Sequence, residues 1–518
     1  VCAGFLGEQE GDRRQTVLFG PMRAYHLPQK QLMDAICEAD ARFAVSAFSV
    51  SAARPDRAIL VGIEGTDGYD TLGELAALAE TAGVQVVGRS LQRRRAVDNA
   101  TYIGTGKADE LSLDVNALEA DLVIFNTCCV RDNAERRALG NVTWLKELKK
   151  DKPGLIIGVC GCMVQQPGMA ERILRQYRFI DLAFGTHNLH RLPSLLLALL
   201  TQKTRVVSVT DEENLIAEGL PVKRLNAWHA YITIMYGCDN FCSYCIVPYV
   251  RGRERSRRAD DILREAEGLL QSGVKEIMLL GQNVNSYGAG TGDSFPGLLR
   301  RLDALGVERI RFMTSHPKDL SDDLIEAMAQ CKHVCNHLHL PVQSGNDDIL
   351  RLMNRRYTRE DYLRKVEKLR AAVPGIGLTT DLIVSFPGET EKQFEDTCSL
   401  VREVGYDAAF TFIYSPREGT RAAAMEGRIP EAESTRRIEQ LIREVEASTA
   451  RVHQSMIGKH ENVLVESLSK RDERKVSGKG TRGITVTLDG TEADIGTIIP
   501  VTITSAAVNT LRGERTER

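Results

Sequence analysis

Three cysteines, Cys238, Cys242 and Cys245, stand at C-x3-C-x2-C spacing in the string Tyr236-Gly-Cys-Asp-Asn-Phe-Cys-Ser-Tyr-Cys245. Three thiolates in one short loop can hold three irons of a [4Fe–4S] cube and leave the fourth without a protein ligand. An open iron is a place where a small molecule can bind and react. A structural zinc site asks for four ligands, commonly as two separated Cys/His pairs, and no fourth partner stands nearby in the chain. Seven of the twelve cysteines fall in three tight groups: Cys128-Cys129, Cys160-x-Cys162 and the triplet. Where thiols are kept reduced, such clustering points to metal rather than to disulfides. Cys2, Cys37, Cys331, Cys335 and Cys398 read as ordinary buried or incidental thiols.

The chain that must position these thiols has 518 residues, too many for one compact core, and three or four domains are expected. Its 43% hydrophobic and 26% charged residues are those of an ordinary soluble protein. The longest aliphatic run, Leu195 to Leu200, is far short of the roughly 20 residues that span a bilayer. No charged-then-apolar leader opens the chain. A cytoplasmic protein with no membrane partner is therefore expected. A net charge of −3 advertises no global affinity for nucleic acid. A local basic run exists, however: Arg251, Arg253, Arg255, Arg257 and Arg258 follow the cysteines directly. Such a run is usually a solvated helix start, and beside a cofactor loop it is placed to meet phosphates.

The elements read as α/β throughout, with a β-rich tail. Residues 1–56 show no periodicity beyond a helix around Lys30 to Ala41 and stay unassigned. Residues 57–119 alternate strand (Ala58–Gly62), helix (Thr71–Ala82) and strand (Val84–Val87), followed by Gln92-Arg-Arg-Arg95. Residues 120–205 carry two buried-type strands, Ala120 to Cys128 and Leu155 to Cys162, each delivering thiols at its C-terminal end, where ligands of parallel sheets collect. Residues 225–450 offer six strands (Tyr231–Met235, Glu276–Leu280, Arg309–Met313, Val334–Leu340, Gly377–Ile383, Ala408–Ile413) between helices, the pattern of an open (β/α) barrel. Residues 455–515 have short strands (Glu461–Glu466, Ile484–Leu488, Ile498–Ile503) and no helical period. That predicts a small C-terminal β-barrel, a shape often used to hold oligonucleotides.

The triplet spacing is that of the radical S-adenosylmethionine (SAM) enzymes, and the flanking strings narrow the resemblance. From about Ala120 to Gly513 the chain resembles the MiaB-type tRNA methylthiotransferases. The match rests on Phe125-Asn-Thr-Cys-Cys-Val-Arg131, Gly158-Val-Cys-Gly-Cys-Met163, Phe184-Gly-Thr-His-Asn188, Pro248-Tyr-Val-Arg-Gly252 and Gly281-Gln-Asn-Val284. Thr314-Ser-His-Pro317, His339-Leu-Pro-Val-Gln-Ser-Gly345 and Pro387-Gly-Glu-Thr390 extend it, and Leu511-Arg-Gly513 closes a segment similar to the RNA-binding TRAM domain. Residues 57–120 resemble instead the N-terminal domain of the HflX-family GTPases, through Arg57-Ala-Ile-Leu-Val-Gly62, Thr81-Ala-Gly-Val-Gln-Val-Val-Gly88 and Ala100-Thr-Tyr-Ile-Gly-Thr-Gly-Lys107. No G-x4-G-K-[ST] loop occurs, so GTP hydrolysis is not predicted.

The resemblance implies a radical SAM barrel whose Cys238, Cys242 and Cys245 ligate a [4Fe–4S] cluster, with SAM held by Gly281, Gln282, Asn283 and Tyr244. Cleavage of SAM would give a radical that takes hydrogen from C2 of N6-isopentenyladenosine beside the anticodon. An auxiliary [4Fe–4S] cluster on Cys128, Cys162 and a third cysteine would supply the sulfur. The implied partners are the tRNA anticodon stem-loop and a small electron carrier such as flavodoxin or ferredoxin. Relatives acting on threonylcarbamoyl-adenosine or on a ribosomal protein share the chemistry and are alternatives. The family's early Gly-Cys-Gln-Met-Asn loop, source of the third cysteine, is missing here; the HflX-like segment stands in its place. Cys129, Cys160 or Cys37 would have to substitute. Without a substitute, an RNA-binding fusion that cleaves SAM but transfers no methylthio group is the further alternative.

Overall fold

The computed structural model describes residues 3–10, 13–19, 55–63, 72–92, 110–111, 114–115, 117–127, 144–202, 204–209, 216, 218–219, 222–224, 226–469 and 472–516. Two compact units emerge. One comprises Val1–Cys128, Asn133–Thr210 and Leu220–Lys223; the other comprises Cys129–Asp132, Asp211–Gly219 and Arg224–Arg518. No helix among the described residues is long and apolar enough to cross a membrane.

In the first unit, strands β1 (Ala3–Glu10) and β2 (Arg13–Phe19) pair as an antiparallel hairpin within the stretch that the sequence left unassigned. The helix expected at Lys30–Ala41 lies outside the described residues. Strands β3 (Arg57–Ile63), β4 (Gln85–Gln92), β5 (Leu122–Thr127), β6 (Ile156–Gly161), β7 (Leu182–Phe184) and β8 (Val206–Ser208) form one parallel sheet in the order β4-β3-β5-β6-β7-β8. The HflX-like strands and the methylthiotransferase-like strands therefore share a sheet, joined where Ala58–Val61 pairs with Leu122–Phe125. Both faces are buried. Ile59, Val61, Val123, Phe125, Ile157 and Val159 fill one core, and Ala58, Leu60, Leu122, Ile124 and Cys160 fill the other. That explains why these strands read as continuous apolar runs rather than alternating ones.

In the second unit, β9 (His229–Thr233), β12 (Glu276–Leu280) and β13 (Arg309–Phe312) form a parallel sheet, as do β14 (His337–His339), β15 (Gly377–Val384) and β16 (Ala408–Ile413). A parallel bridge from Ile310 to Val334 links the two sheets. The six strands make an open (β/α) barrel, with β10 (Met235–Tyr236) and β11 (Arg255–Ser256) as a short ribbon beside it. Alternate residues define its two faces. Ile232, Ile277, Leu279, Ile310, Leu338, Leu378, Leu382 and Val384 point outward into the core shared with the helices. Each fully buried side chain of this size contributes about 1.5–3 kcal/mol. The residues between them face inward and are mostly polar: Glu276, Arg309, Arg311, His337, His339, Thr379 and Asp381.

The helices start where the sequence supplies caps. Thr358 and Asp361 form a capping box for Arg359–Ala372, and Thr390 and Gln393 form one for Glu391–Val404. Beyond helix Glu431–Gln454, strands β17 (His460–Leu468), β18 (Lys475–Lys479), β19 (Thr485–Asp489), β20 (Ile498–Ala506) and β21 (Leu511–Arg515) close a five-stranded barrel around Val463, Val465, Val476, Val486, Val501 and Ile503.

The loop between β18 and β19 stops the N-terminal end of the open barrel. Arg309 donates to the carbonyls of Lys479 and Gly480, each at 3.0 Å. Arg311 donates to the carbonyls of Gly480 and Thr481. Glu276 lies between the two guanidiniums, 2.9 Å from the Nε of each. Burial alone would raise the Glu276 carboxyl, but Arg311 and Arg309 outweigh it and hold the group at about 2. Arg482 completes the seam with a bond of 2.9 Å to Asp407.

Candidate active site

The three cysteines lie on the loop between β10 and the short helix Val247–Arg251. Gly237 opens the loop at φ 78°, and a Cβ there would stand 2.0 Å from the Arg253 carbonyl oxygen, so only glycine fits. Its N–H donates to Gln282 Oε1 at 2.6 Å, which braces the cysteine loop against the segment after β12. The Cys245 N–H closes a turn on the Cys242 carbonyl at 2.9 Å. Asn354 Nδ2 donates to the carbonyls of Asn240 and Phe241, and the Ser243 N–H donates to the carbonyl of Met353. The loop is thus pinned from two remote stretches of sequence.

Burial raises the free thiols, Cys238 to about 11 and Cys245 to about 12. Buried thiols of this kind charge readily only against a cation such as a metal. Two N–H groups meet the Cys242 sulfur. Arg355 Nη1 donates to it at 3.5 Å, while its Nε is held by the Tyr357 hydroxyl at 2.8 Å. His316 Nε2 stands 4.0 Å from the same sulfur. Burial, then the charge of Arg355, keeps the His316 imidazole neutral. Its Nδ1 accepts from the Lys318 N–H, which leaves the proton on Nε2, facing the sulfur. Donors converging on a ligand sulfur suit an iron–sulfur cluster. Among the described residues no three His, Cys, Asp or Glu side chains converge as on a single ion. A cube binds each thiolate on a separate iron and does not ask that of them.

Backbone strain gathers at the same end of the barrel. Among the described residues seven non-glycine residues have positive φ, and six of them, Phe241, Thr314, Gln343, Asn354, Arg356 and Ser385, lie on the cysteine loop, on its anchors or just past barrel strands. Ser385 takes φ 59°. Buried polar atoms without a hydrogen-bond partner collect there too: Asn283 Oδ1, both amide atoms of Asn285, and the hydroxyls of Ser315, Ser385 and Tyr414. A protein interior tolerates few such orphans, and a cluster of them marks a place built for polar ligand groups.

The other sequence-derived candidates fall out as follows. Gly281 leaves no room for a Cβ, which would stand 2.5 Å from Met235 Cγ. Asn283 is buried and donates to Asp319 Oδ2 at 2.8 Å. Tyr244 packs against the apolar group of Ile349, Met353, Ile383 and Phe386. In the basic run, Arg257 is buried against Glu218 and Glu265, each at 2.8 Å, rather than solvated. Arg253 is exposed, pairs with Asp239 and lies 5.5 Å over the Phe241 ring.

For the auxiliary site, Cys162 is buried just past β6, where Thr127 receives its N–H. Cys128, Cys129 and Cys37 lie outside the described residues. Cys160 is fully buried in the apolar core, with its sulfur 3.8 Å from Asn126 Oδ1. The strand beside β5 is β3, and the segment that follows it, residues 64–71, contains no cysteine. Sequence reasoning missed Arg355, His316, Asn354 and Tyr357 as partners of the cysteine loop; His316 had a signal only as part of Thr314-Ser-His-Pro317.

Comparison with known proteins agrees with this geometry. Residues 232–401 match the radical SAM superfamily, 454–515 the TRAM domain and 69–131 the GTP-binding GTPase N-terminal domain. The last match runs through β5, the strand that reads as either family. The tRNA-2-methylthio-N(6)-dimethylallyladenosine synthase of Alkaliphilus oremlandii is 51% identical over 420 residues, which span 80% of this chain and 89% of that protein. The Clostridium perfringens synthase is 48% identical over 423 residues, 81% of this chain and 95% of its own. Among solved structures, the radical SAM methyltransferase TsrM of Kitasatospora setae, with cobalamin and a [4Fe–4S] cluster bound, shares the fold. It aligns at TM-score 0.52 and 15% identity over 71% of this chain and 77% of its own. Cysteine triplet, open barrel, closed TRAM barrel and half-identical relatives together place the chain in the family of tRNA-2-methylthio-N(6)-dimethylallyladenosine synthases.

Proposed function

We propose that the chain adds a methylthio group to C2 of N6-isopentenyladenosine in tRNA, next to the anticodon. The observation that carries this is the braced cysteine loop at the open end of the barrel, in a chain about half identical to synthases of that name. Cys238, Cys242 and Cys245 would hold a [4Fe–4S] cluster. Such a cluster, when bound, passes one electron to SAM and releases a carbon radical able to take hydrogen from an unactivated carbon.

The rest is the work of the chain's own residues. Gln282 fixes the spacing of the cysteine loop from the segment after β12. Arg355 and His316 direct N–H groups at the Cys242 sulfur. Gly281 brings backbone close to Met235 without a side chain between them, and Asn283 and Asn285 keep buried amide atoms for polar groups of SAM. The apolar packing around Tyr244 excludes water from the seat of a radical. The TRAM barrel would grip the anticodon stem-loop. Electrons would come from flavodoxin or ferredoxin.

The test is anaerobic reconstitution with iron and sulfide, then assay with SAM, reductant and isopentenylated tRNA. Methylthiolated nucleoside in the digested tRNA is the expected product; SAM left intact would refute the reading. A second reading, SAM cleavage without sulfur transfer, is favoured by the cysteine-free segment after β3 and the core position of Cys160. Iron content separates the two, since two cubes hold about eight irons per chain and one holds about four.

A further inference from the structure

We infer that the inner faces of β15 and β16 form the seat of the target base, with Phe412 as its stacking platform and Asp381 as the acceptor for its N6–H. The inference rests on the reading above. It adds which residues select the substrate.

Register and packing place these side chains. Asp381 pairs with Phe410 and Ile383 with Phe412 across the two parallel strands, so all four share one face. That face is the inner one: Leu382 and Val384 belong to the outer core, and the Phe410 ring meets the buried His339 edge-on at 6.0 Å. Ile383 packs in the same apolar group as Tyr244 of the cysteine loop. Phe412 therefore lies on the part of the inner face that leads to the cysteines, about 7 Å along the strand from Phe410.

Exposure singles out these residues. Phe412 is 48% exposed, whereas Phe410 on the same face is half-buried. Single exposed apolar residues are common and need no explanation. This one lies on the inner face of an edge strand, one inward position further along than the Phe410 that pairs with Asp381. The Asp381 side chain is 28% exposed, with one oxygen 3.5 Å from His339 Nε2. At the opposite end the loop between β18 and β19 stops the barrel, which leaves the cysteine side open for a base to enter. An extruded base needs an aromatic face to replace its lost neighbours and a polar partner to read its edge. N6-isopentenyladenine retains one N6–H, which a carboxylate accepts, and carries an apolar substituent that suits the flank of Phe412.

The test compares two anticodon stem-loop RNAs bound to the reconstituted protein: one with N6-isopentenyladenosine at the target position, one abasic there. Fluorescence anisotropy gives both affinities. Wild type is expected to prefer the first by about 5- to 150-fold, the value of one stacked base. Phe412→Leu should erase most of that preference, Phe412→Trp should keep it, and Asp381→Asn should reduce it. Ile442→Ala, an exposed apolar change on helix Glu431–Gln454, is the control. A preference unchanged in Phe412→Leu overturns the proposal, as does an equal loss of affinity for both RNAs. Because binding is read without turnover, a protein that binds as expected but forms no methylthio product contradicts the proposed reaction and leaves the base seat standing.

Discussion

The two ends of the open barrel are made from the same strands and treat polarity in opposite ways. At the N-terminal end every buried charge has its counterpart. Glu276 sits between Arg309 and Arg311, and the remaining guanidinium N–H groups are spent on carbonyls of the TRAM loop. At the C-terminal end, Asn283, Asn285, Ser315, Ser385 and Tyr414 keep buried polar atoms without partners, and the backbone is strained at six positions. Among the described residues the N-terminal end closes its charges internally and leaves only Arg309 Nε and His229 Nε2 without a hydrogen bond; the C-terminal end gathers more such atoms. The difference separates a structural polar cluster from a functional one, though both look alike as lists of buried hydrophilic residues.

The contrast can be broken most completely at the functional end. Cys242→Ala removes the sulfur that Arg355 and His316 address, and is expected to abolish 5′-deoxyadenosine formation while circular dichroism shows the fold intact. At the structural end the effect is on stability. Glu276→Ala leaves two buried guanidiniums without their carboxylate and should cost about 3–5 kcal/mol, read from denaturant unfolding. Acid provides a gentler version. The folded carboxyl titrates near 2, below its ordinary 4.5, so its contribution is full above about 4.5 and is lost as pH falls towards 2. Wild type should lose stability in that window more steeply than Glu276→Gln. The smallest effect is expected at Ser385, held at φ 59°. Ser385→Gly relieves a left-handed serine and should stabilise by about 0.5–1 kcal/mol in thermal unfolding.

Much of this was legible in the sequence, and the failures have physical causes. Most barrel strands could be read because each buries an outward row of apolar side chains, such as Ile277 and Leu279 in β12 or Leu378, Leu382 and Val384 in β15. The cysteine loop was legible because its thiols are local, within eight residues of one another. Its supports were not: Arg355, Asn354 and His316 lie more than 70 positions away, and no spacing rule reaches that far. Strands β18 and β21 escaped notice because they are short and largely polar, and only the closed barrel gives Val476 and Leu511 a core to enter. The basic run misled at Arg257, where a helix start that looked solvated supplies a buried ion pair.

The seam between Arg309, Arg311 and the TRAM loop has a bearing on how the protein is made. The arginines meet carbonyls about 170 positions further along the chain. A ribosome will have finished every strand of the open barrel well before the residues that satisfy it emerge. Until then the two guanidiniums have Glu276 but lack the carbonyls that they meet in the folded chain. A chain cut short before β18 would thus be betrayed by its own unspent arginines, giving quality control a way to tell it from the finished protein.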